Sequence, residues 1–123
     1  MIPQRVRVQG DYFHGVVPDG AVYVGRQAPG LRQSFFHNPF RVGVVPTVGL
    51  GFPDEGRVRD ARHAVILFEE YVSRLGRNYR DQVVDEMAGR DVACWCRLPE
   101  LGQADWCHGM ILLHLSAGNR RWP

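Results

Sequence analysis

The sequence predicts an α/β fold: a single compact domain over residues 1–123, with a small, largely parallel sheet flanked by helices. Three observations predict it. Short strand-like stretches open the chain at residues 5–8 and 21–25. Apolar residues at spacings of three and four run from Val58 to Leu75. A second apolar strand, residues 91–96, is followed by the apolar run 110–115. The resulting order is strand, strand, loop, helix, helix, strand, helix. With 45% hydrophobic and 23% charged residues, 123 residues suffice to bury a core without staples.

Arg5-Val6-Arg7-Val8 alternates polar and apolar residues, as a strand with one buried face does. Residues 11–20 carry Gly15, Pro18, Asp19 and Gly20 and read as a turn. Residues 21–25 are more continuously apolar, so this strand is expected at the centre of the sheet. It runs into Gly25-Arg26, where glycine allows a sharp turn or the close approach of a ligand. Arg26 then lies at the strand's C-terminal end, as an anion-gripping group or as a surface arginine beside a turn.

Residues 27–56 hold no periodic element, and a loop of that length in a compact domain is often functional. Its stretch Phe35-Phe36-His37-Asn38-Pro39-Phe40 is aromatic. The phenylalanines are expected to fold back as a plug, while His37 and Asn38 could face a ligand. A short strand or hairpin is expected over residues 42–48. Val58, Ala61, Val65, Phe68, Val72 and Leu75 form the stripe of an amphipathic helix that Asp54 or Asp60 could start and Gly76 end. Glu69 and Glu70 lie off that stripe and read as solvated. A shorter helix over residues 81–88 buries Val83, Val84 and Met87. The last helix is expected over residues 105–117 with Asp105 as its N-cap, followed by a flexible tail at about 119–123.

Composition excludes several function classes. All 15 basic residues are arginine, the net charge is only +2, and the arginines are scattered rather than massed. Binding to duplex nucleic acid is therefore not expected, whereas a small anion held by one or two arginines is. No apolar run is long enough to span a bilayer, and the first residues lack a signal-peptide core, so a cytoplasmic protein with reduced thiols is expected. Three cysteines are an odd number and do not suggest a disulfide framework.

All three cysteines fall in Cys94-Trp95-Cys96 and, after ten intervening residues, Cys107-His108. Alternation along a strand turns Cys94 and Cys96 to one face and Trp95 to the other. Cys107 and His108 are expected in the first turn of the last helix, in the crevice at the C-terminal edge of the sheet. Three readings compete. Three thiolates and an imidazole (Cys94, Cys96, Cys107 and His108) complete a tetrahedron for zinc, although neither pair has the usual spacing of a structural zinc motif. Alternatively Cys107, its thiolate favoured by the helix dipole, is a nucleophile with His108 or His114 as proton partner. Finally, the cysteines could be small core residues, and Trp95 and Trp106 packing groups, with Trp106 able to roof a pocket.

Tyr23-Val24-Gly25-Arg26, Asn38-Pro39-Phe40, the helix with Ala64-Val65, Phe68 and Tyr71, then residues 89–96 and Cys107-His108-Gly109 form a series. It resembles the bacterial and phage family catalogued as domain of unknown function 4326, across about residues 6–117. The resemblance implies a compact α/β domain and no particular activity. It also implies that Gly25, Arg26, Asn38, Pro39, Cys94, Cys96, Cys107 and His108 belong together. The leading expectation is a small enzyme acting on a nucleotide-like or other small anionic ligand. In that reading Gly25, Arg26, Asn38, Cys94 and Cys96 bind the ligand, and Cys107 and His108 are catalytic. The alternative is a non-catalytic module in which zinc, the one cofactor considered, is structural and the surface meets a protein partner.

Overall fold

The computed structural model describes residues 2–46 and 56–119. Its sheet has three strands, β1 (Arg5–Arg7), β2 (Val22–Tyr23) and β3 (Val92–Cys94), in the order β1-β3-β2 with both pairs parallel. Arg5 lies opposite Val92 on one side and Val22 opposite Val92 on the other. Ladder bonds continue past the strand ends, from Val8 N to the Cys94 carbonyl (3.0 Å) and from Val24 N to the Ala93 carbonyl (2.9 Å).

The expectation that residues 21–25 form the central strand is corrected: β3 is central. Val92, Ala93 and Cys94 are all buried, as a strand covered on both faces and both edges requires, whereas Val22 and Tyr23 stay partly exposed. β2 is an edge strand whose apolar run serves the two faces of the sheet rather than two neighbours.

Three helices cover one face: α1 (Ala61–Leu75), α2 (Arg77–Met87) and α3 (His108–Ser116). Val24, Val92 and Cys94 meet Phe68 of α1, Met87 of α2 and Leu112 of α3 in one continuous core. The opposite face carries no α-helix among the described residues, only the 3-10 turn Tyr12–His14, whose Tyr12 ring lies 6.0 Å from that of Trp95. Ala93 there packs with Val8 and Ala21, and Val6, Tyr23 and Trp95 close over them. Cys94 and Trp95 therefore face opposite sides, as strand alternation demands.

Asp60, not Asp54, starts α1, its carboxylate accepting from the His63 amide at 2.8 Å; Asp54 lies outside the described residues. Gly76, at φ 80°, ends α1 in a conformation that favours glycine and opens directly into α2. α2 starts four residues before the expected 81, and its buried line is Tyr79, Val83 and Met87 at spacings of four. Val84 is one residue off that line and is 36% exposed, which corrects its expected burial. The expected strand at 42–48 reduces to an isolated parallel bridge between Val42 and Val58. Residues 47 and 48 and the tail from 120 lie outside the described residues. No helix among the described residues is long and apolar enough to cross a membrane.

The largest correction concerns Asp105 and Arg5. α3 begins at His108 with Cys107 as its N-cap, the Gly109 amide donating to the Cys107 sulfur at 3.4 Å. Asp105 does not cap because its carboxylate takes a forked pair of hydrogen bonds from Arg5, Nε to Oδ2 at 2.5 Å and Nη2 to Oδ1 at 3.0 Å. A bidentate guanidinium–carboxylate pair outweighs a neutral backbone cap. Arg5, read from alternation as a polar-face residue, has a side chain only 1% exposed. Its stem lies over Gly109, where an added Cβ would come 3.2 Å from Arg5 Cδ.

Two stability outcomes follow from this packing. Arg5→Leu strands the Asp105 carboxylate and should cost about 3–5 kcal/mol in urea unfolding, while Arg7→Leu at the exposed C-terminal end of β1 should stay within about 0.5 kcal/mol. Equal effects would show that the pair does not anchor the fold. Tyr79 has a buried hydroxyl with no hydrogen-bond partner among the described residues. Tyr79→Phe should therefore be at least as stable as the parent in thermal unfolding, and a loss of more than about 1 kcal/mol would reveal a bond to that hydroxyl.

Candidate functional site

The C-terminal ends of β2 and β3 and the N-terminus of α3 open onto one cavity of about 200 Å³. Gly25, Arg26, Asn38, Cys94, Cys96, Cys107 and His108 all line it. So do Trp106, the residue expected to be able to roof a pocket, Trp95, and Ala61, Ala64 and Val65 of α1, read from the sequence only as helix residues. His37 does not; its Nδ1 lies 2.7 Å from the Ser34 carbonyl within the loop. His114, the other proposed proton partner, sits in the last turn of α3 and does not line the cavity.

The three sulfurs lie within 4.8 Å of one another, with Cys94 and Cys96 at 3.4 Å. β3 ends at Cys94, and the chain bends through Trp95 and Cys96, so the Cys96 amide donates to the Cys94 sulfur at 3.4 Å. Arg5 fixes that bend by donating to the Cys96 and Arg97 carbonyls, each at 2.9 Å. Cys94 and Cys107 are buried and Cys96 is exposed.

Ionisation is shared within this cluster. Hydrogen bonds from the Cys107 thiol and then the Cys96 thiol hold Cys94 well below the usual thiol range, against the opposing effect of burial. Cys107 is pushed up, because its hydrogen bond stabilises a thiolate on Cys94 and then on Cys96 and because it is itself buried. The helix dipole was expected to make Cys107 the acidic thiol. Its sulfur is instead tucked against the α3 backbone as the cap, and the acidic position is Cys94.

His108 is buried, with Nε2 2.8 Å from the Val24 carbonyl and its ring edge-on to Phe68 at 5.0 Å. A carbonyl can only accept, so Nε2 carries the proton. Burial pushes the pKa down to about 4, so the ring is neutral and Nδ1 keeps its lone pair. Among the described residues, the group able to hold a metal comprises Cys94, Cys96 and Cys107, without His108.

Arg26 donates twice from Nη2, to the carbonyls of Asn38 (2.9 Å) and Phe40 (3.0 Å). Its Nε and Nη1 make no hydrogen bond among the described residues, and no carboxylate there pairs with it. Burial and then the nearby Arg41 lower its pKa, against the opposing effect of the Cys94 and Cys96 sulfurs. Asn38 is buried and braces the loop against α1, donating to the Ala64 carbonyl at 3.2 Å and accepting from the Phe40 amide at 2.9 Å. Of the expected plug, Phe36 and Phe40 are buried while Phe35 is 66% exposed.

Gly25 is needed for close approach. A Cβ there would fall 2.4 Å from the Tyr23 hydroxyl, which accepts from Trp95 Nε1 (3.0 Å) and donates to the Arg26 carbonyl (2.5 Å). Sequence reading missed Tyr23 and Arg5 as positioning residues. For Arg5 the one available signal was its place on the strand opposite an apolar partner.

Native alkylation tests this exposure pattern. After chelator treatment, a small reagent should label Cys96 first and leave Cys94 and Cys107 protected until the protein unfolds. Equal labelling of all three in the native state would mean that the cluster is open rather than seated under α3.

A family model described as Domain of unknown function (DUF4326) matches residues 9–118, and the chain belongs to that family. No curated protein matches the chain, and neither does any solved structure.

Proposed function

We propose that this family member is a small enzyme that binds a nucleotide-like or other small anionic molecule in the cavity and acts on it at the sulfur cluster. One observation carries the reading: Arg26, two of whose nitrogens have no hydrogen-bond partner among the described residues, shares a cavity of about 200 Å³ with three sulfurs and a neutral imidazole. A half-buried guanidinium with unused donors is a site for a phosphate or carboxylate. The cavity is smaller than the roughly 300–1,000 Å³ of a drug-sized pocket, so it suits the anionic end of a molecule whose remainder extends out past Trp106. His108 Nδ1 supplies a hydrogen-bond acceptor, and the cluster supplies the polarisable, nucleophilic or ligating atoms.

The non-catalytic alternative draws support from the same cluster. It leaves the Arg26 donors that have no hydrogen-bond partner among the described residues without a role, and the zinc set it named includes His108, which lies outside the group formed by the three sulfurs.

Binding of inorganic phosphate and nucleoside monophosphates, measured by calorimetry, tests the proposal. The parent should bind at least one of them. Arg26→Gln should weaken that binding about 10- to 150-fold, the equivalent of about 1.5–3 kcal/mol for a charge-assisted hydrogen bond. Arg26→Gln also removes donors from two loop carbonyls, so Arg41→Gln serves as the control that keeps the loop ties and should bind within a few-fold of the parent. Unchanged binding in Arg26→Gln, or no anion bound by the parent, refutes the proposal.

A further inference from the structure

We infer that Cys94, Cys96 and Cys107 form a three-thiolate zinc site whose fourth coordination position opens into the cavity. Tetrahedral zinc with bonds of about 2.3 Å places its sulfur ligands about 3.8 Å apart. Here the sulfurs already lie within 4.8 Å of one another, with one pair at 3.4 Å, so one ion satisfies all three after shifts of well under the length of a bond. The surroundings favour thiolates. Backbone amides donate to the Cys94 and Cys107 sulfurs, each at 3.4 Å, and the Arg5 guanidinium holds the Cys96 carbonyl at 2.9 Å. Such outer contacts orient and stabilise metal-bound sulfur.

The ion would be held by three protein ligands, not four. Among the described residues, neither ring nitrogen of His108 belongs to the group formed by the three sulfurs. The cavity lies beside the sulfurs, and Arg26 lines it with them. Three protein ligands with a position left for water or substrate is the arrangement of catalytic rather than structural zinc. In that position zinc polarises a bound oxygen and makes a coordinated water acidic. Soft thiolate ligands select zinc or copper(I) over magnesium or calcium.

This inference concerns what the cluster carries and does not rest on the anion reading. X-ray absorption of the zinc-loaded full chain should show three sulfur scatterers at about 2.3 Å and one light oxygen or nitrogen at about 2.0–2.1 Å. The cobalt(II)-substituted protein should show sulfur-to-metal charge transfer at one equivalent, and its visible bands should move when imidazole is added. Cys96→Ser should weaken metal binding at least tenfold. Because that variant could misfold, the parent's own spectra decide. Failure to bind one equivalent of zinc or cobalt overturns the inference. So does a closed four-ligand shell that added imidazole leaves unchanged, which would restore the structural-zinc module. Phosphate binding by a protein that takes up no metal would overturn this inference alone, and metal uptake without anion binding would overturn the proposed function alone.

Discussion

Arg5 holds both ends of the 97–106 segment with a single guanidinium, through the Cys96 and Arg97 carbonyls at one end and the Asp105 carboxylate at the other. That closure brings Cys96 and Cys107, ten residues apart in between, into one sulfur cluster. Segment 97–106 itself is largely exposed and has little core of its own to fix its path. Closing a loop of that length carries an entropic cost, which one buried bidentate pair and two charge-assisted carbonyl contacts are strong enough to offset. The cation is in turn held down by Gly109, whose missing side chain leaves room for the arginine stem.

The opposite wall of the cavity is held by a different logic. Trp95 donates to Tyr23, Tyr23 donates to the carbonyl of Arg26, and Arg26 donates to the carbonyls of Asn38 and Phe40. Asn38 then ties the loop to α1 at Ala64. A chain of hydrogen bonds thus runs from the central strand across β2 to the first helix, and its members set one another's orientation. Gly25 sits at its middle because any side chain there would displace the Tyr23 hydroxyl. Among the described residues only Nη2 of Arg26 is engaged, which leaves Nε and Nη1 without a hydrogen bond there in a residue that lines the cavity.

Much of this was legible in the sequence because it follows from local periodicity. The α1 stripe through Val65, Phe68 and Val72, the Gly76 stop and the opposed faces of Cys94 and Trp95 depend only on neighbours along the chain. Val58, read as the start of that stripe, instead lies before the Asp60 cap, in the bridge to Val42. The gathering of Gly25, Arg26, Asn38 and the cysteines followed from strand ends sharing one edge of a sheet. What escaped depended on contacts distant in sequence. Asp105 has every local mark of an N-cap, yet Arg5, 100 residues away, takes its carboxylate. The central place of β3 is likewise a matter of pairing order, which apolar content alone does not reveal: residues 21–25 are as apolar as Val92-Ala93-Cys94. Tyr79 extended α2 by supplying a buried residue one turn before the stripe at Val83 and Met87, where only charged and polar neighbours were visible.

The charge of the cavity links its two halves. As thiols the cluster is neutral, and Arg26 then gives the cavity a positive charge that no carboxylate among the described residues pairs with. The first proton leaves readily because two neighbouring thiols solvate the thiolate at Cys94, but each further ionisation meets the charge already present. With the proposed zinc, three thiolates and a dication sum to about one negative charge, which faces Arg26 across the cavity. Without an ion, an arriving anion meets the guanidinium and, once Cys94 has ionised, an unscreened thiolate. With one, it meets the guanidinium and an open coordination position together, while the thiolate charge is held by the metal and screened by the N–H donors behind it. Arg26 therefore suits the cluster in either state. Only the metal-loaded state gives the anion a second point of attachment, and two fixed points are what orient a small molecule in a cavity too small to grip the whole of it.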